Sequence, residues 1–221
     1  MPEMKIVTLA LPYHLGSVNC YLVKIDTGYI LIDTGSSNQR AALEQELRHA
    51  GCQPGDLKLI ILTHGDFDHT GNAAYLRRKF GAPLAMHPAD FGMIERSDMF
   101  ASRSNANPIF KAIAPLLFRF GESNRVTPDI KLAEGFDLAG YGMAAQVISI
   151  PGHSRGSIGI LTSDGDLFVG DLLENTKQPA LNSIMDDRVA AQASVDKLKG
   201  LNVKTVYPGH GRSFSLDQIK E

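Results

Sequence analysis

Cysteine is nearly absent: Cys20 and Cys52 are the only two in 221 residues, each in an apolar setting. A disulfide framework is therefore not expected, and a reducing cytoplasm is the expected compartment. Neither sign of charge is in excess. The formal net charge is −2, which gives no basic footprint for nucleic acid. Long apolar runs are lacking too. The stretch after Met1-Pro2-Glu3-Met4-Lys5 is broken by Thr8 and Pro12, unlike a secretory leader, and no segment has membrane-spanning length. Repeats, low-complexity tracts and a Gly-x-Ser-x-Gly nucleophile elbow are also missing, so a serine hydrolase has little support. With 43% hydrophobic and 21% charged residues, the expectation is a single domain over 1–221.

What is present alternates between strand and helix signals. Strands are expected over 6–11, 19–25 and 29–33, the last two joined as a hairpin at Asp26-Thr27-Gly28. A helix over 38–49, capped by Ser36 or Ser37 and closed by Gly51, should follow. Next come an apolar strand ending at Thr63, a helix over 71–80 stopped by Gly81-Ala82-Pro83, and a strand over 84–87. Further strands are expected over 145–150, 157–162, 166–169 and 204–207, with an amphipathic helix over 186–199. The order describes two similar halves, each a sheet with helices, in the α/β class. Between them, 88–128 is rich in Phe and Met and has Ser/Asn-rich breaks. It reads as a helical insertion capping the domain, with Phe100, Phe110 and Phe118 as candidates for an apolar wall facing substrate. The rival use of that apolar surface is a homodimer contact.

The chemistry concentrates at strand ends. His64-Gly65-Asp66-Phe67-Asp68-His69 follows directly on the run Leu57 to Thr63. Two imidazoles and two carboxylates crowded this closely call for a cation, and the mixture suits zinc, iron or manganese. No cysteine lies nearby, which argues against a closed structural zinc site. Asp33-Thr34-Gly35, Pro151-Gly152-His153-Ser154, Gly170-Asp171 and Pro208-Gly209-His210-Gly211 each close another expected strand. Of the seven histidines, His64, His69, His153 and His210 share this placement, whereas His14, His49 and His87 do not.

This ordered set resembles the metallo-β-lactamase superfamily, from Asp33 to His210. The resemblance implies an αββα four-layer sandwich with a two-metal cleft at one edge. Carried over by position, His64 and His153 would hold one metal, Asp68, His69 and His210 the other, and Asp171 would bridge them. Asp33 would orient ligands from behind. The family usually reads His-x-His-x-Asp-His, and here Asp66 stands at the second histidine. Flavodiiron members carry a carboxylate there, so Asp66 is read as a further ligand beside His64 and His153. Its extra negative charge would leave the metal pair a weaker Lewis acid than in the common pattern.

The implied reaction is hydrolysis of an ester, thioester, lactone or amide by a metal-bound hydroxide, with Asp68 carrying a proton to the leaving group. Two divalent ions are expected, zinc first, with iron or manganese as alternatives. The rivals are an iron-dependent redox enzyme of the same superfamily and a metal-poor binding protein. Tyr13 and His14, in a loop that overhangs the cleft in the family, are candidate substrate contacts.

Overall fold

The computed structural model describes residues 5–13, 16–101, 103 and 122–219. Strands β1 (Ile6–Tyr13), β2 (Gly16–Ile25) and β3 (Gly28–Ile32) form an antiparallel meander. Strands β4 (Leu57–Ile61), β5 (Leu84–Met86) and β6 (Ile130–Lys131) add to it in parallel, completing a six-stranded sheet in chain order. The second half repeats the scheme. Strands β7 (Ala145–Ser149), β8 (Ile158–Thr162) and β9 (Asp166–Gly170) make another antiparallel meander. A short hairpin of β10 (Leu173–Glu174) and β11 (Ala180–Leu181) follows, and β12 (Thr205–Pro208) then lies parallel to β9.

Side-chain alternation sorts the strands' residues into layers. Leu22, Leu31 and Ile60 face one way and pack with Leu43 and Leu47 of α1 (Arg40–His49) and with Leu76 and Phe80 further along. Their neighbours Val23, Ile30, Ile32, Leu59 and Ile61 face the other way, against Val147, Ile158, Ile160 and Phe168 of the second sheet. The outer face of that sheet, with Ile148, Leu161, Val169 and Val206, is covered from the far side by another helix. That helix contributes Ala191, Val195 and Leu198, spaced on one face. The result is helix, sheet, sheet, helix: the expected αββα sandwich.

Three expectations shift in detail. The first helix begins with a 3-10 turn, Ser37–Gln39, and neither serine caps it through its side chain. The Ser36 carbonyl instead accepts from Gln39 N and from Asn72 Nδ2, at 3.0 and 2.9 Å. The helix expected over 71–80 starts at Ala73, as α3 (Ala73–Phe80), and a separate helical turn, α2 (Phe67–Thr70), lies in the segment expected as a loop. Asn72 separates them, its amide committed to the carbonyls of Thr34 and Ser36. Within 88–128, the described residues form a 3-10 turn at Pro88–Asp90, α4 (Phe91–Glu95) and a second 3-10 turn at Glu122–Asn124. Phe110 and Phe118 of the expected cap lie in 104–121, outside the described residues. The last helix, α5 (Arg188–Lys199), matches expectation, and the Asp187 side chain caps it.

Both cysteines are buried in the core, as their settings foretold. Among the described residues no helix is long and apolar enough to cross a membrane.

Candidate metal centre

Residues just beyond the ends of β3, β4, β7, β9 and β12 meet at one edge of the sandwich. They are Asp33, the segment His64 to His69, His153, Asp171 and His210. The rings form a chain across the two halves: His153 to His64 at 4.7 Å between centroids, His64 to His69 at 4.3 Å, and His69 to His210 at 5.4 Å. Asp33, His64, Asp66, Asp68, His69, His153 and Asp171 are all buried. Sequence separation is therefore no guide here; the sandwich itself assembles the set.

Every imidazole is held from behind by its Nδ1. His69 Nδ1 lies 3.0 Å from Asp33 Oδ2, His153 Nδ1 2.7 Å from the Ile184 carbonyl, and His210 Nδ1 2.9 Å from the Ser17 carbonyl. Those oxygens only accept, so each Nδ1 donates. His64 Nδ1 lies 3.0 Å from Thr63 Oγ1, whose own proton goes to Asp33 Oδ2 at 2.7 Å. Thr63 therefore accepts from His64. In their neutral forms all four rings then present a bare Nε2 lone pair inward, the arrangement that metal-ligating histidines adopt.

The inward atoms fall into overlapping groups: His64, Asp66 and His153; His64, His69 and Asp171; Asp68, His69 and His210. Asp171 touches the last two rings of the chain, with Oδ1 3.2 Å from His69 Nε2 and Oδ2 3.3 Å from His210 Nε2. Asp68 Oδ2 lies 3.3 Å from His210 Nε2. Asp66 Oδ2 lies 3.0 Å from His153 Nε2 and 3.9 Å from His64 Nε2. All the residues expected as ligands are thus brought together, Asp66 included.

The cluster fits a cation. His64 Nε2, His69 Nε2 and Asp171 Oδ1 are buried without a hydrogen-bond partner, a costly state for polar atoms unless something binds them. Space is kept open as well: a Cβ on Gly209 would overlap Asp171 Oδ1 and stand 2.7 Å from His69 Cε1. Electrostatics point the same way. Burial opposes charge on His69, yet Asp171, Asp68 and Asp33 outweigh it and hold that ring well above its usual pKa. His210 is likewise opposed by burial but raised to about 10, chiefly by Asp171. Of the four rings in the cluster, only His64 is pushed down, by burial first and then by its histidine neighbours. The carboxylates demand positive charge here, and divalent ions would supply it in place of protons.

Three partners escaped the sequence reading. Asp90, after β5, is fully buried. It accepts from Gly65 N at 3.1 Å, Ser154 Oγ at 2.5 Å and Gly156 N at 2.9 Å, so it fastens the His64 loop to the His153 loop. Arg103 carries the second surprise, with Nη2 2.9 Å from Asp66 Oδ1 and Nε 3.1 Å from Asp186 Oδ2. Asp186 is the third. The charge count made on the motif alone changes accordingly, because a guanidinium now stands against the extra carboxylate. Burial favours a neutral Asp66, but Arg103 and then His153 overrule it and keep its pKa far below the usual range. Only the polar Ser/Asn-rich context of Arg103 was visible in the sequence, and it carries no signal for a buried ion pair.

Among the candidate substrate contacts, Phe100 is buried in a small cluster with Phe67, Met93 and Met99, close by the His64–His69 loop. His14, Phe110 and Phe118 lie outside the described residues, and Tyr13 is described only as the last residue of β1.

This geometry belongs to a recognised class. The Metallo-beta-lactamase superfamily model matches residues 14–210, and the chain is a member of that superfamily. A probable metallo-hydrolase of Methanocaldococcus jannaschii, MJ0888, is 29% identical over 211 residues, 88% of each chain. The probable metallo-hydrolase YflN of Bacillus subtilis is 22% identical, over 87% of this chain and 80% of that one. Among solved structures, TTHA1623 in a di-iron-bound form superposes with a TM-score of 0.72 at 28% identity, covering 95% of both chains. The superfamily protein TTHA1429 of Thermus thermophilus also gives 0.72, at 25% identity over 97% of this chain and 75% of the other.

Proposed function

We propose that this protein is a metal-dependent hydrolase that cleaves an ester, thioester, lactone or amide in a small molecule, using two divalent ions held between its halves. The observation that carries the reading is the orientation of the histidines: four rings from both halves, each tied by Nδ1, with Nε2 turned toward buried carboxylates. His64, Asp66 and His153 would hold one ion, and Asp68, His69 and His210 the other, with Asp171 between. Bound there, the pair would lower the pKa of a water and polarise the oxygen that gains charge during attack.

The protein's own groups do the rest. Asp33 fixes the tautomer of His69 directly and that of His64 through Thr63. Asp68, beside His210 at the open end of the ring chain, is placed to take a proton and return it to the leaving group. The probable metallo-hydrolase standing of two relatives supports the reaction class. Zinc is the expected metal. The di-iron-bound TTHA1623 supports iron as the alternative metal, and with iron the second reading is a redox enzyme of the same superfamily.

Elemental analysis of purified protein, followed by a screen of metal-reconstituted enzyme on esters, thioesters, lactones, phosphodiesters and β-lactams, tests both readings. Zinc or manganese with turnover of one carbonyl ester or amide class supports the hydrolase. Iron with a visible absorption band and no hydrolysis supports the redox reading.

A further inference from the structure

Arg103 is anchored on both sides of the cleft. Its side chain is only 7% exposed and lies between Asp66 of the first half and Asp186 of the second. Nη2 approaches both oxygens of Asp66, at 2.9 and 3.1 Å, and Oδ2 of the same carboxylate also meets His153 Nε2 at 3.0 Å. The carboxylate that belongs to the His64–His153 group is therefore already matched by a fixed cation. The Asp68–His69–His210 group has no such cation among the described residues. It has instead Asp68 and Asp171 within it and Asp33 behind His69.

We infer that Arg103 makes the two metal subsites unequal: the Asp68–His69–His210 subsite fills first and tightly, and the His64–Asp66–His153 subsite fills second and weakly. The physical reason is charge. A guanidinium is always protonated, and one that shares a carboxylate with a divalent ion both repels that ion and competes for the oxygen lone pairs. Burial makes this stronger, since little water screens the pair. Arg103 is a positioning residue in this account and touches no substrate. Its anchor on Asp186 matters because a guanidinium held from the far side cannot simply swing out as metal arrives. The inference rests on the metal-centre reading proposed above and adds the order of filling.

The test is a zinc titration by competition with a chromophoric chelator, run on the whole protein. The wild type should show two affinities about tenfold or more apart. His153→Ala should keep the tight site, and His210→Ala should lose it. Arg103→Met should narrow the gap by tightening the weak site, while Arg103→Lys, which keeps the charge, should preserve it. Two equal affinities in the wild type would overturn the inference and leave the metal centre standing. So would a tight site that survives His210→Ala and disappears in His153→Ala. A gap unchanged in folded Arg103→Met would remove Arg103 as its cause. If that variant does not fold, the wild-type isotherm and the two histidine variants still decide the order. Failure of the wild type to bind either zinc or iron would overturn both readings together.

Discussion

The Asp33 carboxylate and the His69 ring lie 3.0 Å apart, Oδ2 to Nδ1, in the interior of the domain. Asp33 also accepts from the amide and hydroxyl of Thr63, at 2.8 and 2.7 Å, and so steadies His64 as well. It does this from a left-handed backbone conformation, φ 61°, which few residues besides Gly, Asn and Asp adopt cheaply. Asp33→Asn keeps the backbone preference and removes an acceptor. Metal affinity should fall roughly 10–100-fold, with the circular dichroism spectrum unchanged. Wild-type affinity in the variant would show that Asp33 is only a turn residue.

Asp90 is a structural tie between the two loops that carry His64 and His153. Asp90→Ala would leave the amides of Gly65 and Gly156 without their acceptor. Each buried unpaired donor costs about 1–3 kcal/mol, so a loss of roughly 2 kcal/mol or more is expected in urea unfolding. A midpoint within error of wild type would contradict this tie.

Gly209 keeps the floor of the site free. Gly209→Ala should displace Asp171 and His69, whose atoms occupy the space a methyl group would need. The expected outcome is loss of metal from a protein that remains folded, read by elemental analysis and thermal melting together. Full metal occupancy in the variant would show that the site can relax around the methyl group.

Proton linkage gives a test in the metal-free protein. His210 is raised in the folded chain from 6.5 to about 10, with burial opposing and Asp171 leading the increase. A raised folded pKa contributes stability that is fully present below 6.5 and is lost as pH rises toward 10. The chelated protein should therefore lose stability across pH 6.5–10. With metal bound, the imidazole is held deprotonated and that decline should vanish. Equal pH profiles with and without metal would contradict the assignment of His210.

Much of this was legible in the sequence because it depends on local patterns. The apolar run over 29–33 announces a strand, and the His64–His69 segment announces a cation site wherever it falls. Long-range partners were not legible. Asp90 looks like any acidic residue in a turn, and only the packing of β5 beside the His64 loop gives it Gly65, Ser154 and Gly156. Arg103 sits in a polar stretch, and its pairing with Asp66 joins residues whose sequence neighbourhoods share no period. The later start of α3, at Ala73, was hidden for a related reason. The side chain of Asn72 is taken by backbone carbonyls of Thr34 and Ser36, distant in the sequence.

The account turns on metal bound jointly by the two halves, and thermal unfolding of the metal-loaded protein with and without a strong chelator tests it most directly. A ligand present at about 100 times its dissociation constant stabilises the native state by roughly 2.7 kcal/mol. For a chain of this length that corresponds to a fall in Tm of roughly 5–10 °C on thorough chelation, restored when metal is added back. A melting temperature unmoved by chelation would contradict it.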